Sequence, residues 1–221
     1  MGKIKVIITG ATGMLGEGVT HICLEHPDIE EILLICRRAS GIVHPKLKET
    51  VLPDLMDISS VENQLKGYDA CFFCLGISSV GISPNDYYKT TYTLTMNFAG
   101  ILEKINPGMT FEYISGAGTD ATEKGRVRWA RVKGKTENDL TKLSGLKTYA
   151  LRPGFIRPLK EMLHTHAFYK YIGWTFCIGR KLYPAGYCTL EELARAMIFL
   201  AKYGYNEPVI SGLDIIALGK K

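Results

Sequence analysis

Three glycines at fixed spacing constrain this chain more than any other feature: Gly10, Gly13 and Gly16 in the run Gly10-Ala11-Thr12-Gly13-Met14-Leu15-Gly16. The residues before them, Lys3 to Thr9, are an apolar, β-branched run that predicts a buried strand. Those after them, Met14 to Glu25, predict a helix that ends at His26-Pro27. Between a strand and a helix each glycine has its own use. Gly10 makes the tight turn, Gly13 lets backbone approach a pyrophosphate, and Gly16 lets the helix lie close to the sheet. The helix dipole and backbone N–H groups, those of Thr12 and Met14 among them and with Leu15 in the same turn, favour an anion there.

The pattern of strand followed by helix continues. Further strands are predicted at Ile29 to Cys36, Leu47 to Leu52, Ala70 to Leu75, Phe111 to Ser115 and Lys147 to Leu151. Helices are predicted at Val61 to Lys66, from Pro84 to the break at Asn106-Pro107-Gly108, and at Arg128 to Leu143. Ser83, Pro84 and Asp86 suit the N-cap, N1 and N3 positions of the second of these. Such alternation implies parallel pairing with right-handed crossovers, hence an α/β doubly wound parallel sheet, a Rossmann fold. Residues 1–221 read as a single dinucleotide-binding domain, with 155–221 adding a small C-terminal portion that covers the substrate at the carboxyl ends of the strands. Within it Thr189 caps a helix with an apolar face from Leu190 to Leu200, and Leu213 to Leu218 predicts a last strand.

Composition narrows the setting. The net charge of +5 is mild, and no Lys/Arg run suggests a nucleic-acid tail. No stretch of about 18 apolar residues suggests a membrane span. The first strand begins almost at Met1, which leaves no room for a signal peptide, and the six scattered cysteines suit reduced thiols. A cytoplasmic protein is the expectation. Cys71 and Cys74 match a C-x-x-C pattern, but on a strand residues three apart point to opposite faces, so no metal or redox pair is expected. His164 and His166 lack a third ligand, and no metal site is predicted.

The second strand ends Cys36-Arg37-Arg38-Ala39-Ser40. A site for NAD usually places an acid there to accept from the ribose hydroxyl; here two arginines stand instead. Arg37, helped by Arg38 and Ser40, suits a 2′-phosphate, so the expected cofactor is NADP rather than NAD.

The run Thr9 to Gly16 resembles the opening of the extended and atypical short-chain dehydrogenases/reductases, and the likeness continues along nearly the whole chain. The resemblance implies that Asp54 takes the adenine amino group and Leu55 one ring face. It implies that Leu75 and Gly76 touch the ribose, and that Pro153, Phe155 and Ile156 face the nicotinamide. The short, epimerase-like members, including the Tat-interacting oxidoreductase group, are the nearest in kind.

That family works with Tyr and Lys four residues apart on one helix. Lys133 falls at the Lys position, which implies that it holds the ribose; Trp129 falls where the Tyr belongs. An indole has a neutral N–H donor and cannot serve as general acid. Ser115 is the candidate for the family serine, and Tyr87, Tyr88, Tyr92 and Tyr113 are further candidates for a proton donor. Two functions from different classes follow. One is an NADP-dependent oxidoreductase acting on a small carbonyl or alcohol, with a sugar-nucleotide epimerase as a lesser enzyme alternative. The other is a dinucleotide-binding regulator without turnover. The aromatic stretch from Phe168 to Phe176 is expected to form a lid or a homodimer contact rather than touch a membrane.

Overall fold

A computed structural model describes residues 2–160, 162 and 175–221. Strands β1 (Ile4–Thr9), β2 (Ile29–Cys36), β3 (Leu47–Val51), β4 (Ala70–Phe73), β5 (Thr110–Ile114) and β6 (Lys147–Leu151) follow the predicted order. Between them run α1 (Met14–Glu25), α2 (Glu62–Leu65), α3 (Pro84–Tyr88), α4 (Leu94–Ile105) and α5 (Arg128–Leu140). Beyond β6 come β7 (Phe155–Arg157), α6 (Thr175–Leu182), β8 (Tyr187–Thr189), α7 (Leu190–Tyr203), β9 (Val209–Ile210) and α8 (Gly212–Leu218).

The main sheet has the order β3-β2-β1-β4-β5-β6-β9, with every pairing parallel. β7 and β8 pair separately, also in parallel. Strand order reverses between β1 and β4, and a crevice opens outside the carboxyl ends of the strands at such a reversal.

Helices cover both faces, so the central strands are apolar on both sides. Val6, Ile8, Phe72 and Leu151 face α1 and α7; Ile7, Phe73, Phe111 and Tyr113 face α4 and α5. Cys71 and Cys74 fall into opposite cores, as the strand period requires. α1 meets α7 so closely that a Cβ on Gly18 would lie 2.0 Å from Leu190 Cδ2.

Two expectations need correction. Leu213 to Leu218 belongs to helix α8, and the last strand is Val209–Ile210. The reason is local: Ser211 and Asp214 form a reciprocal capping box that starts a helix. The main C-terminal helices also do not cover the strand ends. α7 and α8 complete the apolar layer beside α1, with Leu193, Ala194, Met197 and Ile215 fully buried. His164, His166 and the stretch from Phe168 up to Trp174 lie outside the described residues.

The helix after β4 carries a feature its sequence does not announce. Ser83 caps it, with Ser83 Oγ accepting from Asp86 N at 3.1 Å. Between α3 and α4 the chain makes a π turn at Lys89–Thr93 before the α pattern resumes. A single π turn carries an extra residue and re-aims the side chains on it; such turns are frequent at functional sites.

Candidate functional site

The glycine turn is built as its spacing implies. Gly10 has φ +74°, and a Cβ there would lie 2.8 Å from the Cys74 carbonyl oxygen at the end of β4. A Cβ on Gly16 would lie 2.2 Å from Gly10 O, so only glycine lets α1 seat against the turn. Gly13 differs. It is the N-cap of α1, and a Cβ there would meet only Gly10 O, at 3.5 Å. Protein packing does not demand a glycine at that position, yet it lies on the wall of a cleft. No side chain caps the start of α1, so its first N–H groups stay available for an anion.

Two neighbouring cavities at the switch point share a wall and are treated as the lobes of one cleft. One, of about 320 Å³, is walled by Arg37, Asp54, Leu55, Met56, Lys89 and Thr90, among others. The second, of about 390 Å³, is walled by Gly13, Met14, Leu15, Cys74, Ser115 and Lys133, among others. Leu75, Gly76 and Ile77 line both lobes at the switch point. A larger depression of about 590 Å³ lies over the β3 edge, but its charged walls satisfy themselves: Lys48 pairs with Glu31 at 2.7 Å, and Tyr68 donates to Glu31 at 2.6 Å. Its glycine, Gly67 at φ +80°, closes the end of α2 rather than opening a helix.

Lys133 projects from α5 toward the end of β5. Its ammonium donates to Ser115 O at 2.7 Å and Ile114 O at 3.2 Å. An ammonium has three donors, so a third remains for a ligand hydroxyl. Burial pulls its pKa down to about 8, against the opposing pull of Glu137 one turn on. Ser115 is buried, and its hydroxyl lies 2.8 Å from that of Thr119, which donates to Gly116 O at 2.8 Å.

Not every expected residue joins the cleft. Arg38 is exposed and Thr12 is exposed, and neither is on its walls. Pro153 is buried with its carbonyl accepting from Ala117 N, Ile156 is in the core, and Phe155 stacks on Phe176 and Tyr187. None of these three lines either lobe. Ser40 is occupied in its own loop, where its hydroxyl accepts from Ile42 N and its N–H donates to Glu49 Oε1. Glu49 is an acid near the end of β2 that reading along β2 alone misses. The same oxygen also accepts from Cys36 Sγ, and Glu49 stands outside the cleft walls.

The tyrosine candidates separate from the cleft as well. Tyr87 and Tyr113 are buried in the core, Tyr88 stacks on Tyr92 at 4.9 Å, and Tyr92 donates to Asp139 at 2.8 Å. Trp129 is half-buried, with its ring beside Gly118, and is likewise off the walls. The side-chain proton carriers on the second lobe are therefore Lys133, Ser115 and Cys74 among the described residues. Burial pushes the Cys74 thiol well up, which keeps it neutral.

Sequence reading also missed a buried ion pair beneath the site. Arg152 donates to both oxygens of Glu137, at 3.0 and 2.5 Å, and ties β6 to the helix that carries Lys133. The Arg-Pro-Gly segment thus contributes a structural clamp through its arginine. No group of His, Cys, Asp and Glu suited to a metal occurs among the described residues.

Comparisons with known proteins bear on the same features. The chain is 24% identical over 231 residues to "Protein FMP52, mitochondrial" of Meyerozyma guilliermondii, covering 99% of this chain and 96% of that one. It is 25% identical over 232 residues to the protein of the same name from Chaetomium globosum, covering 97% and 96%. The mitochondrial location in the names of these relatives overturns the expected cytoplasmic location; reduced thiols and the lack of a long apolar run do not distinguish the two. Among solved structures, a UDP-N-acetylglucosamine 4-epimerase from Methanobrevibacter ruminantium superposes with a TM-score of 0.70 at 20% identity, over 95% of this chain and 76% of that one. The Bordetella bronchiseptica enzyme WbmH, solved with NAD+, superposes with a TM-score of 0.63 at 18% identity, over 90% and 72%. At such identities these two matches establish the shared fold. The model of the NAD dependent epimerase/dehydratase family matches residues 6–125, the stretch that holds the glycine turn, the switch point and most of the cleft, and the chain belongs to that family.

Proposed function

We propose that this protein is an NADP-binding oxidoreductase that acts on a small carbonyl or alcohol. The observation that carries the reading is the two-lobed cleft, with an open helix start at Gly13 and a partly buried lysine in one lobe and an arginine in the other. The residues fit the cofactor: a side chain at Gly13 would project into the cleft rather than into protein. Gly13, Met14 and Leu15 hold the pyrophosphate at the start of α1. Asp54 and Leu55 take the adenine, and Arg37 takes a 2′-phosphate. Lys133 offers its remaining N–H to the nicotinamide ribose. When bound, the dinucleotide supplies or accepts a hydride.

Lys133 and Ser115 then hold the protons nearest the substrate. Lys133 is poised near neutrality by burial, the range in which a proton carrier works best. A second reading, a dinucleotide-responsive regulator without turnover, rests on Trp129, which removes the phenol that the family's chemistry uses.

Both readings are tested by titrating the protein with NADPH and NADH, then following NADPH oxidation with a panel of aldehydes, ketones and quinones. The oxidoreductase reading predicts tighter binding of NADPH and oxidation by at least one carbonyl class. Equal affinity for the two dinucleotides removes the NADP assignment. Tight NADPH binding with no oxidation selects the regulator, and turnover appearing in Trp129→Tyr then identifies the missing phenol as the cause.

A further inference from the structure

The adenosine lobe holds more positive charge than an unphosphorylated adenosine needs. Arg37, from the end of β2, and Lys89, from the π turn, line the same cavity of about 320 Å³. Neither side chain makes a hydrogen bond, ion pair or ring contact to the protein among the described residues. Several other cations near the sheet are engaged, Lys48 with Glu31, Arg152 with Glu137 and Lys202 with Asp28, whereas the neighbouring Arg38 is also without a side-chain partner but lies off the cavity walls. The lobe's carboxylate, Asp54, spends one oxygen on Met56 N at 2.9 Å and pairs with neither cation.

The pyrophosphate does not account for these charges. Its cradle, Gly13 to Leu15 at the start of α1, lines the other lobe. Adenine does not account for them either. Its requirements are met by apolar walls at Leu55, Met56, Leu75 and Leu94 and by the Asp54 carboxylate. Two cations without a side-chain partner, lining one small cavity, suit one further dianion within it. The π turn supplies the second. Lys89 opens that turn, and Lys89 and Thr90 are the residues that it turns to the cavity.

We infer that Lys89 is the second half of a two-cation clamp, with Arg37, for a phosphate monoester on the adenosine ribose of the bound nucleotide. This rests on the NADP reading and assigns a specificity-determining role to a residue outside the β2 segment. Thr90 adds a hydroxyl beside the ammonium.

The test compares NADPH and NADH dissociation constants, from the change in reduced-nicotinamide fluorescence, in wild type, Arg37→Met, Lys89→Met and Lys89→Arg. Lys89 is exposed on its helix, and methionine keeps the length of its stem, so NADH binding serves as an internal control of folding. Lys89→Met is expected to weaken NADPH about tenfold and to leave NADH within about twofold, with Lys89→Arg restoring most of the loss. In parallel, 2′,5′-ADP is expected to raise the melting temperature of wild type more than 5′-ADP does, and Lys89→Met to abolish the difference. If wild type prefers NADPH and Lys89→Met keeps that preference, the clamp is overturned while the NADP reading stands. An equal loss for both dinucleotides overturns it too, and makes Lys89 an adenine contact. If wild type shows no preference for NADPH, the NADP reading fails and the clamp fails with it.

Discussion

Glu112 is the residue whose chemistry fits its surroundings least. It sits in the middle of β5, fully buried, and neither carboxylate oxygen has a hydrogen-bond partner among the described residues. Burial pushes its pKa well above the usual carboxylate range, so the folded protein holds it as the neutral acid. The sign of the linkage follows. The folded state binds this proton more tightly than the unfolded chain. The pH-dependent part of its cost is therefore absent below the unfolded value of about 4.3 and grows as pH rises from there toward the folded value, by at most about 1.4 kcal/mol per unit; the cost of burying the neutral carboxyl without a partner is present at every pH. Glu112→Gln is predicted to melt with wild type near pH 4.5 and several degrees above it at pH 8, read by thermal melts across that range. Curves that stay parallel at every pH would contradict the assignment. Nothing in the local sequence Thr110-Phe111-Glu112-Tyr113-Ile114 marks the glutamate as unpaired, since alternation alone would place it on a solvated face. Only the layer of α1 and α7 above it makes the position apolar, and that layer comes from distant sequence. The Arg152–Glu137 clamp is hidden for the same reason: its partners lie on different elements, and each alone reads as a surface charge.

At the scale of elements, local signals were read most reliably where they were chemical rather than periodic. Ser83 and Thr189 both cap the helices they were expected to start. Thr189 does more, because Glu192 returns the bond to its backbone N–H at 2.8 Å and also holds Arg180. This capping box starts α7, a helix whose apolar face is in the core, so the effect of the cap is felt by the whole domain. Thr189→Ala is predicted to lower stability by about 1 kcal/mol, or about 2–4 °C in melting temperature for a domain of this size. An unchanged melting temperature would mean that packing alone sets the helix start. Periodicity misled at one short run. Leu213 to Leu218 is a short apolar run that suits strand or helix equally, and the Ser211-x-x-Asp214 capping signal just before it was the discriminating feature. The π turn left no trace in the sequence pattern, because Lys89 to Thr93 continues a helix-compatible run without Gly or Pro.

For the whole molecule, the alternation of strands and helices was enough to indicate a parallel doubly wound sheet, and the strand order places its switch point where the glycine turn lies. The cleft gathers Gly13, Met14 and Leu15 of the glycine turn with residues at the ends of β2, β4 and β5, an arrangement that follows from the order of the elements. The part toward the substrate was less legible. Phe155 and Ile156 pack away from the cleft, and helices α7 and α8 build the core. The glycine turn is legible because its geometry is dictated by backbone and glycine, whereas a substrate pocket depends on side chains, and Trp129 stands where the resemblance places a tyrosine.

Gly13 offers the most direct test that this cleft binds a nicotinamide dinucleotide. A side chain there is accommodated by the protein, with only Gly10 O in contact, but it enters the lobe assigned to the pyrophosphate. NADPH titration of Gly13→Val, beside a thermal melt of the same variant, separates folding from binding. The account predicts a melting temperature within a few degrees of wild type and NADPH affinity reduced by about tenfold or more. A variant that keeps both its fold and wild-type affinity for NADPH would contradict it.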